Sequence, residues 1–283
     1  MQNIAIITDT DSSIPFELAA RKNIYQVPVN VHFGEQSYEA VYAINDADTF
    51  SRIDREGKLP TTSAPAPGRF ISAFNTAFVQ GAEKIICLCV SSAVSATYAA
   101  AVTASESFPD HEITVIDSAT LSMGLGYMAL AAADAASQGA SVSDIVALTK
   151  DIRDKTHLFA ALSTLKYLVM GGRVSNLSAG VATILDVKPI LTIRDGKLDL
   201  LERVRTQKKA WQRVIELSAR KAGDREIENM CILHVNAPGL ARQFEGEIRI
   251  RMQCPSEILF AEVTPGLSVH SGAGMVGTAF VVK

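Results

Sequence analysis

The chain has 283 residues, 48% of them hydrophobic and 20% charged, with a formal net charge of -3. That length suits two domains, and the apolar content supports packed cores and excludes a disordered chain. Aromatic residues make up only 6% and no cluster alternates them with Lys or Arg, so nothing points to a nucleic-acid partner.

Taken in order, Ile4–Ile7 reads as a buried strand ending at Thr8-Asp9, and Glu17–Lys22 as helix. Tyr25–His32 reads as a second strand, interrupted by Pro28, which implies an edge or a bulge. Asp46–Glu56 is helical with Asn45 as its cap; a Pro- and hydroxyl-rich loop, Pro60–Pro67, then leads into helix Gly68–Gln80. Lys84–Val90 is an apolar strand, and Ser91–Ser107 opens as a polar turn before continuing as helix. Strand Ile113–Ile116, helix Gly124–Ser137 and helix Ser143–Lys155 complete a half in which strands alternate with helices. Such alternation means a mostly parallel sheet with helices on both faces.

The chain changes domain near Thr156–Ala161, giving an expected division into residues 1–158 and 159–283. Leu162–Met170 is expected as helix stopped by Gly171-Gly172, and Pro189–Ile193 and Lys197–Val204 as strands joined by a hairpin turn at Asp195-Gly196. Helix Gln207–Ala222, strand Met230–Val235, helix Gly239–Met252 and strands Ile258–Val263 and Ala279–Val282 follow, so a smaller, mixed α/β domain is expected. The fold class is α/β in two domains.

The four cysteines, Cys87, Cys89, Cys231 and Cys254, include no CxxC pair and lack zinc-finger spacing to histidine, so buried free thiols are expected and no metal site. The N-terminus enters Ile4-Ala5-Ile6-Ile7 without a basic segment or cleavage site, and no apolar stretch is long enough for a membrane span. A cytoplasmic location is the expectation.

Asp9-Thr10-Asp11-Ser12 after a strand matches the nucleophile turn of haloacid-dehalogenase-like phosphatases, in which one aspartate attacks phosphorus and the next acts as acid–base beside Mg²⁺. That chemistry also needs a late acidic pair, and the chain contains no Asp-Asp. The opposing reading makes Asp9 a brace at the strand end. Gly124-Leu125-Gly126-Tyr127-Met128-Ala129 and Gly272-Ala273-Gly274-Met275-Val276-Gly277 match dinucleotide fingerprints, but neither has a strand directly before it and a βαβ unit around it. Helix packing and a tight turn account for them better.

Two hydroxyl clusters carry more information. Thr61, Thr62 and Ser63 precede a helix, and Ser91, Ser92, Ser95 and Thr97 follow a buried strand and open the next helix. Beyond strand C-termini in a parallel sheet lies the ligand crevice, where unpaired helix N–H groups suit a carboxylate. Ordinary caps and turns explain each residue singly. His270 stands in a small-residue loop between strands, facing either a ligand or solvent. Arg203, Arg205, Lys208, Lys209 and Arg213 form the densest basic stretch, a solvated face or a docking site.

Several of these segments, in register along nearly the whole chain, resemble the DegV family, whose members include the fatty acid-binding subunit of bacterial fatty acid kinase. Ile7-Thr8-Asp9-Thr10-Asp11-Ser12 is similar to its ITDS opening, Pro60-Thr61-Thr62-Ser63-Ala64-Pro65 to PTTSQP, and Ser91-Ser92-Ala93-Val94-Ser95-Ala96-Thr97-Tyr98 to SSxLSGTY. Asp117-Ser118 with Ser122-Met123-Gly124-Leu125-Gly126 resembles DSxxxSxGxG. Leu165-Lys166-Tyr167-Leu168 with Gly171-Gly172-Arg173-Val174-Ser175 resembles LxYLxxGGRIS. Lys188-Pro189-Ile190-Leu191, Val204-Arg205 with Lys208-Lys209-Ala210, and His270-Ser271-Gly272-Ala273-Gly274 finish the series.

The resemblance implies two α/β domains clamping one long-chain fatty acid. Thr62 and Ser95 would bind its carboxylate with His270 close by, and Thr61 and Ser92 would give support. It also implies no catalytic residue and no cofactor in this chain. Arg205 would meet an ATP-dependent kinase subunit that makes an acyl phosphate for phospholipid synthesis. Ala96 departs from the family's Gly, and Ala273 from the Pro of HxGPG; both bear on the loops that carry Ser95 and His270.

Overall fold

In the computed structural model, which describes residues 3–171 and 187–283, every strand belongs to one of three sheets. The first half runs β1 (Ile4–Asp9), a 3-10 turn at Thr10–Ser12, α1 (Phe16–Arg21), β2 (Ile24–Val27), β3 (Asn30–Phe33), β4 (Gln36–Glu39), α2 (Asp46–Glu56) and β5 (Thr61–Ser63). It continues with α3 (Pro67–Val79), β6 (Lys84–Cys89), α4 (Thr97–Ser105), β7 (Glu112–Asp117), α5 (Met123–Ser137) and α6 (Val142–Lys155). Four strands form a wholly parallel sheet in the order β2-β1-β6-β7. The continuous apolar run of β6 follows from helices covering both of its faces. Ile85, Cys87 and Cys89 pack against Phe70, Phe74 and Ala101 of α3 and α4, while Ile86 and Leu88 face Met128 and Ala132 of α5. Cys87 and Cys89 lie on one face as free thiols, with their Sγ atoms 3.8 Å apart.

The second half runs β8 (Thr156–Ala161), α7 (Lys166–Gly171), β9 (Lys188–Arg194), β10 (Lys197–Val204), α8 (Gln207–Ala222), β11 (Ile227–His234), α9 (Pro238–Arg251), β12 (Leu259–Glu262), α10 (Pro265–Ser271) and β13 (Val276–Val282). Its sheet is mixed, in the order β10-β9-β8-β13-β11-β12, with β11 and β12 parallel and the other pairs antiparallel. The shorter half therefore carries the wider sheet. Asp195 and Gly196 both take positive φ at the β9–β10 turn, as a tight hairpin requires. Strand alternation divides β8 between two cores: Phe159 and Ala161 face α8 and α9, and Leu158 and Ala160 face the first half. The core containing Leu158 and Ala160 also holds Ile86, Leu88 and Leu121, so one apolar layer joins the two sheets.

Several expectations change. Tyr25–His32 is two strands in two sheets, because Pro28 cannot donate to a ladder and the chain turns out of the parallel sheet. Thr61–Ser63, expected as loop, is a strand pairing with β3, with Thr62 opposite Val31. Together with β4 it makes a small antiparallel sheet in the order β4-β3-β5. His270 lies in helix α10 rather than in a loop, since Pro265 starts that helix and Gly272, at φ +83°, ends it. Gly172, Arg173, Val174 and Ser175 lie outside the described residues. Among the described residues, no helix is long and apolar enough to cross a membrane.

Candidate functional site

Strand β1 leads to its neighbour β2 on one side and pairs with β6 on the other, so the parallel sheet switches direction between β1 and β6. Segments leaving two such strand ends diverge and open a crevice. Asp9 ties the two ends together. Its Oδ2 accepts from the Val90 N–H at 2.8 Å and its Oδ1 from the Asp11 N–H at 2.9 Å. Asp9 is fully buried with each oxygen accepting a backbone N–H, which is the geometry of a brace between the two strand ends. Among the described residues, no three His, Cys, Asp or Glu side chains gather where they could hold a metal ion.

Beyond this crevice, a cavity of about 360 Å³ separates the parallel sheet from the six-stranded one. Leu158, Leu162, Leu191, Leu198, Leu233 and Met275 supply its second-half wall, and Val29, Val90, Val94 and Leu121 the first-half wall. The polar part of the lining includes Thr62, Ser95 and His270, which the tertiary structure brings to one cavity from β5, the β6–α4 turn and α10. Thr62 Oγ1 lies 3.0 Å from His270 Nε2. Ser95 Oγ lies 2.8 Å from Thr97 Oγ1, and the Thr97 N–H donates to it at 3.3 Å. Ser95 sits one residue ahead of the Ala96 N-cap of α4, and its hydroxyl bonds within its own turn, which leaves it acceptor lone pairs.

The loop carrying Ser95 tolerates Ala96 because that residue sits at φ -80°, an ordinary region for a residue with a Cβ. Ala273 stands between Gly272 and Gly274, both at positive φ, and its carbonyl accepts a hydrogen bond from Ser163 Oγ at 2.6 Å. The hairpin tip meets the serine turn directly: a Cβ at Gly196 would overlap Ser91 Oγ.

Thr61 and Ser92 are exposed and outside the cavity lining. Alternation along β5 turns Thr61 away from the face that Thr62 presents. Ser92 instead bonds Asp117, through its hydroxyl and through its N–H at 3.1 Å to Oδ1. Arg205 is exposed just past the end of β10, away from the cavity lining. Gly124 and Gly126 belong to the first turns of α5, where a Cβ on Gly126 would meet the Ser12 carbonyl oxygen at 2.8 Å; close packing explains that glycine.

Three lining or supporting residues were not among the expected ligand-binding residues, although Asp11 and Ser122 lie in segments that the sequence singles out. Asp11 lines the cavity while 5% exposed. Burial and the neighbouring Asp9 push its carboxyl well above the ordinary carboxylate range, and burial raises Asp9 to about 7. Two carboxyls this close in an apolar site cannot both ionise. Ser122 lines the cavity as well and donates from Oγ to Ser13 Oγ at 3.0 Å. Asp46, at the start of α2, accepts from Ser268 Oγ of α10 at 2.5 Å, and burial pushes its carboxyl up to about 8. Asp46 has no motif around it, and the motif that holds Asp11 does not record its environment, because partners from distant segments create it.

A separate cavity of about 680 Å³ lies on the far side of Leu158, with Arg153, Arg194, Arg220 and Lys221 among its walls. Charged walls do not suit an alkyl chain.

The model of the DegV family, described as an uncharacterised protein family, matches residues 3–283. A DegV domain-containing protein of Halalkalibacterium halodurans is 31% identical over 283 residues, covering 100% of both chains. Among solved structures, a DegV family protein from Thermus thermophilus, described as fatty acid-binding, superposes with a TM-score of 0.89 at 28% identity, covering 100% of each chain. DegV of Bacillus subtilis, described as a fatty acid-binding protein, gives 0.88 at 25% identity, again covering 100% of each. Over its described length, from the brace at Asp9 to the last strand, this chain belongs to the DegV family.

Proposed function

We propose that this chain binds one long-chain fatty acid in the 360 Å³ cavity and is itself no catalyst. In this reading the two halves act as the two jaws, with the boundary expected at 158/159 moved to the start of β8 so that the strand stays whole. The acyl chain runs among Leu158, Leu191, Leu198 and Leu233, and its carboxylate meets Thr62, Ser95 and His270. The observation that carries the reading is the composition of that one cavity: apolar walls of valine and leucine from both halves, with hydroxyls and an imidazole in the same lining. The fatty acid-binding relatives support the choice of ligand.

The energetics agree. Each buried methylene gains about 0.8 kcal/mol, so a chain of roughly fourteen gains on the order of 11 kcal/mol before costs. Immobilising the ligand costs about 4–15 kcal/mol, so affinity needs a preformed cavity and a hydrogen-bonded head group. A carboxylate cannot be buried bare. Neutral hydroxyl donors satisfy it while leaving an oxygen nucleophilic, whereas a bidentate Arg would hold it tighter and blunt it.

Presentation of the bound acid to a partner extends this proposal. A cytoplasmic ATP-dependent kinase subunit, docking on the exposed surface around Arg205, phosphorylates the carboxylate, and the acyl phosphate feeds phospholipid synthesis. Mass spectrometry of lipid extracted from the native protein tests the first step. One fatty acid per chain is expected, with less retained by Thr62→Ala and Ser95→Ala while circular dichroism stays unchanged. Wild-type lipid content in both variants would overturn the head-group assignment.

A further inference from the structure

Asp11 is an unusual wall for an alkyl chain. The 3-10 turn fixes it: its N–H donates to Asp9 Oδ1 at 2.9 Å and its carbonyl accepts from the Ser122 N–H at 2.8 Å. Gly266 of α10 closes on it so tightly that a Cβ there would overlap Asp11 Oδ1. Among the described residues, the one hydrogen-bond partner of its carboxyl from another segment is Thr264 Oγ1, at a long 3.4 Å. The Thr264 hydroxyl proton already goes to the Thr10 carbonyl oxygen at 3.0 Å. The Asp11 carboxyl is therefore poorly satisfied by protein, and it faces the cavity.

We infer that Asp11, with Ser122 beside it in the lining, selects acyl chains carrying a hydroxyl near their carboxylate end over plain saturated ones. A bare methylene passing Asp11 strips water from a polar group and returns no hydrogen bond, which is costly in a buried site. A chain hydroxyl both donates and accepts, so it can pair with the carboxyl and take part with the Ser122 oxygen. The location along the chain follows from α10, where Gly266, against Asp11, and His270 are one helical turn apart. Four residues of helix rise about 6 Å, which places the selector a few carbons in from the head group. Burial and the neighbouring Asp9 push the Asp11 carboxyl toward its protonated form, in which it donates as well as accepts.

The inference rests on the fatty acid reading and deepens it. Its test is displacement of a fluorescent fatty acid from delipidated protein by stearate and by monohydroxystearates whose hydroxyl steps along the chain. An isomer hydroxylated near the carboxylate should bind about tenfold more tightly than stearate, the yield of one well-placed hydrogen bond. Asp11→Leu should abolish or reverse that ratio, and Asp11→Asn, which keeps a donor and an acceptor, should preserve much of it. A wild-type protein that binds stearate at least as tightly as every isomer overturns the inference, whatever the variants do. So does an Asp11→Leu protein, folded by circular dichroism, with an unchanged ratio. Failure of stearate and all isomers to displace the probe would sink the fatty acid reading as well.

Discussion

Thr62 Oγ1 and His270 Nε2 lie 3.0 Å apart although 208 positions separate them in the chain. One comes from an edge strand of the small antiparallel sheet, the other from the last helix. Their meeting joins the two halves at the polar part of the cavity lining. Gly171, at the end of α7, is the third party: a Cβ there would overlap His270 Nδ1, so the imidazole has its present place because position 171 lacks a side chain.

Gly171→Ala should therefore push the ring away from Thr62. Overpacking of this kind costs about 1–3 kcal/mol. Urea unfolding would read a loss in that range, and extracted lipid per chain should fall more than it does in a variant of equal stability altered far from the cavity.

Asp46 makes stability depend on pH. Burial raises its pKa from 3.8 to about 8 in the folded protein, with Ser268 donating to Oδ1. Among the described residues Oδ2 has no hydrogen-bond partner, and leaving it so costs less for a protonated carboxyl than for a carboxylate. Between those values the folded state holds a proton that the unfolded chain has released. Stability from this group is present below about pH 4 and is lost as pH rises toward 8. In Asp46→Asn, thermal midpoints measured from pH 4 to 9 should fall less steeply than in the wild type. Parallel curves would show that Asp46 ionises normally.

Leu198 lines the cavity from β10, at the edge of the six-stranded sheet, and is only partly buried, so a larger side chain there can be housed without rebuilding the core. Leu198→Trp should shorten the space available to a tail. Lipid extracted from this variant should shift toward shorter acyl chains at similar thermal stability. An identical chain-length profile would mean that the tail runs elsewhere.

The sequence by itself determined the alternation of apolar strands and helices, the hairpin at Asp195-Gly196, the cap at Asn45 and the resemblance to the DegV family. Each of these is written in near neighbours, through period, turn chemistry or a short motif. The Asn45 side chain accepting from the Asp48 N–H at 2.8 Å is a case in which four consecutive residues suffice. Only the tertiary structure decided the rest. Thr62 sits in a strand because β3 lies beside it, and His270 sits in a helix whose Gly266 must fit against Asp11. The raised pKa values of Asp11 and Asp46 arise from burial by segments far away in sequence. Burial is a property of the packed whole, and no local pattern records which side chains will share an interior.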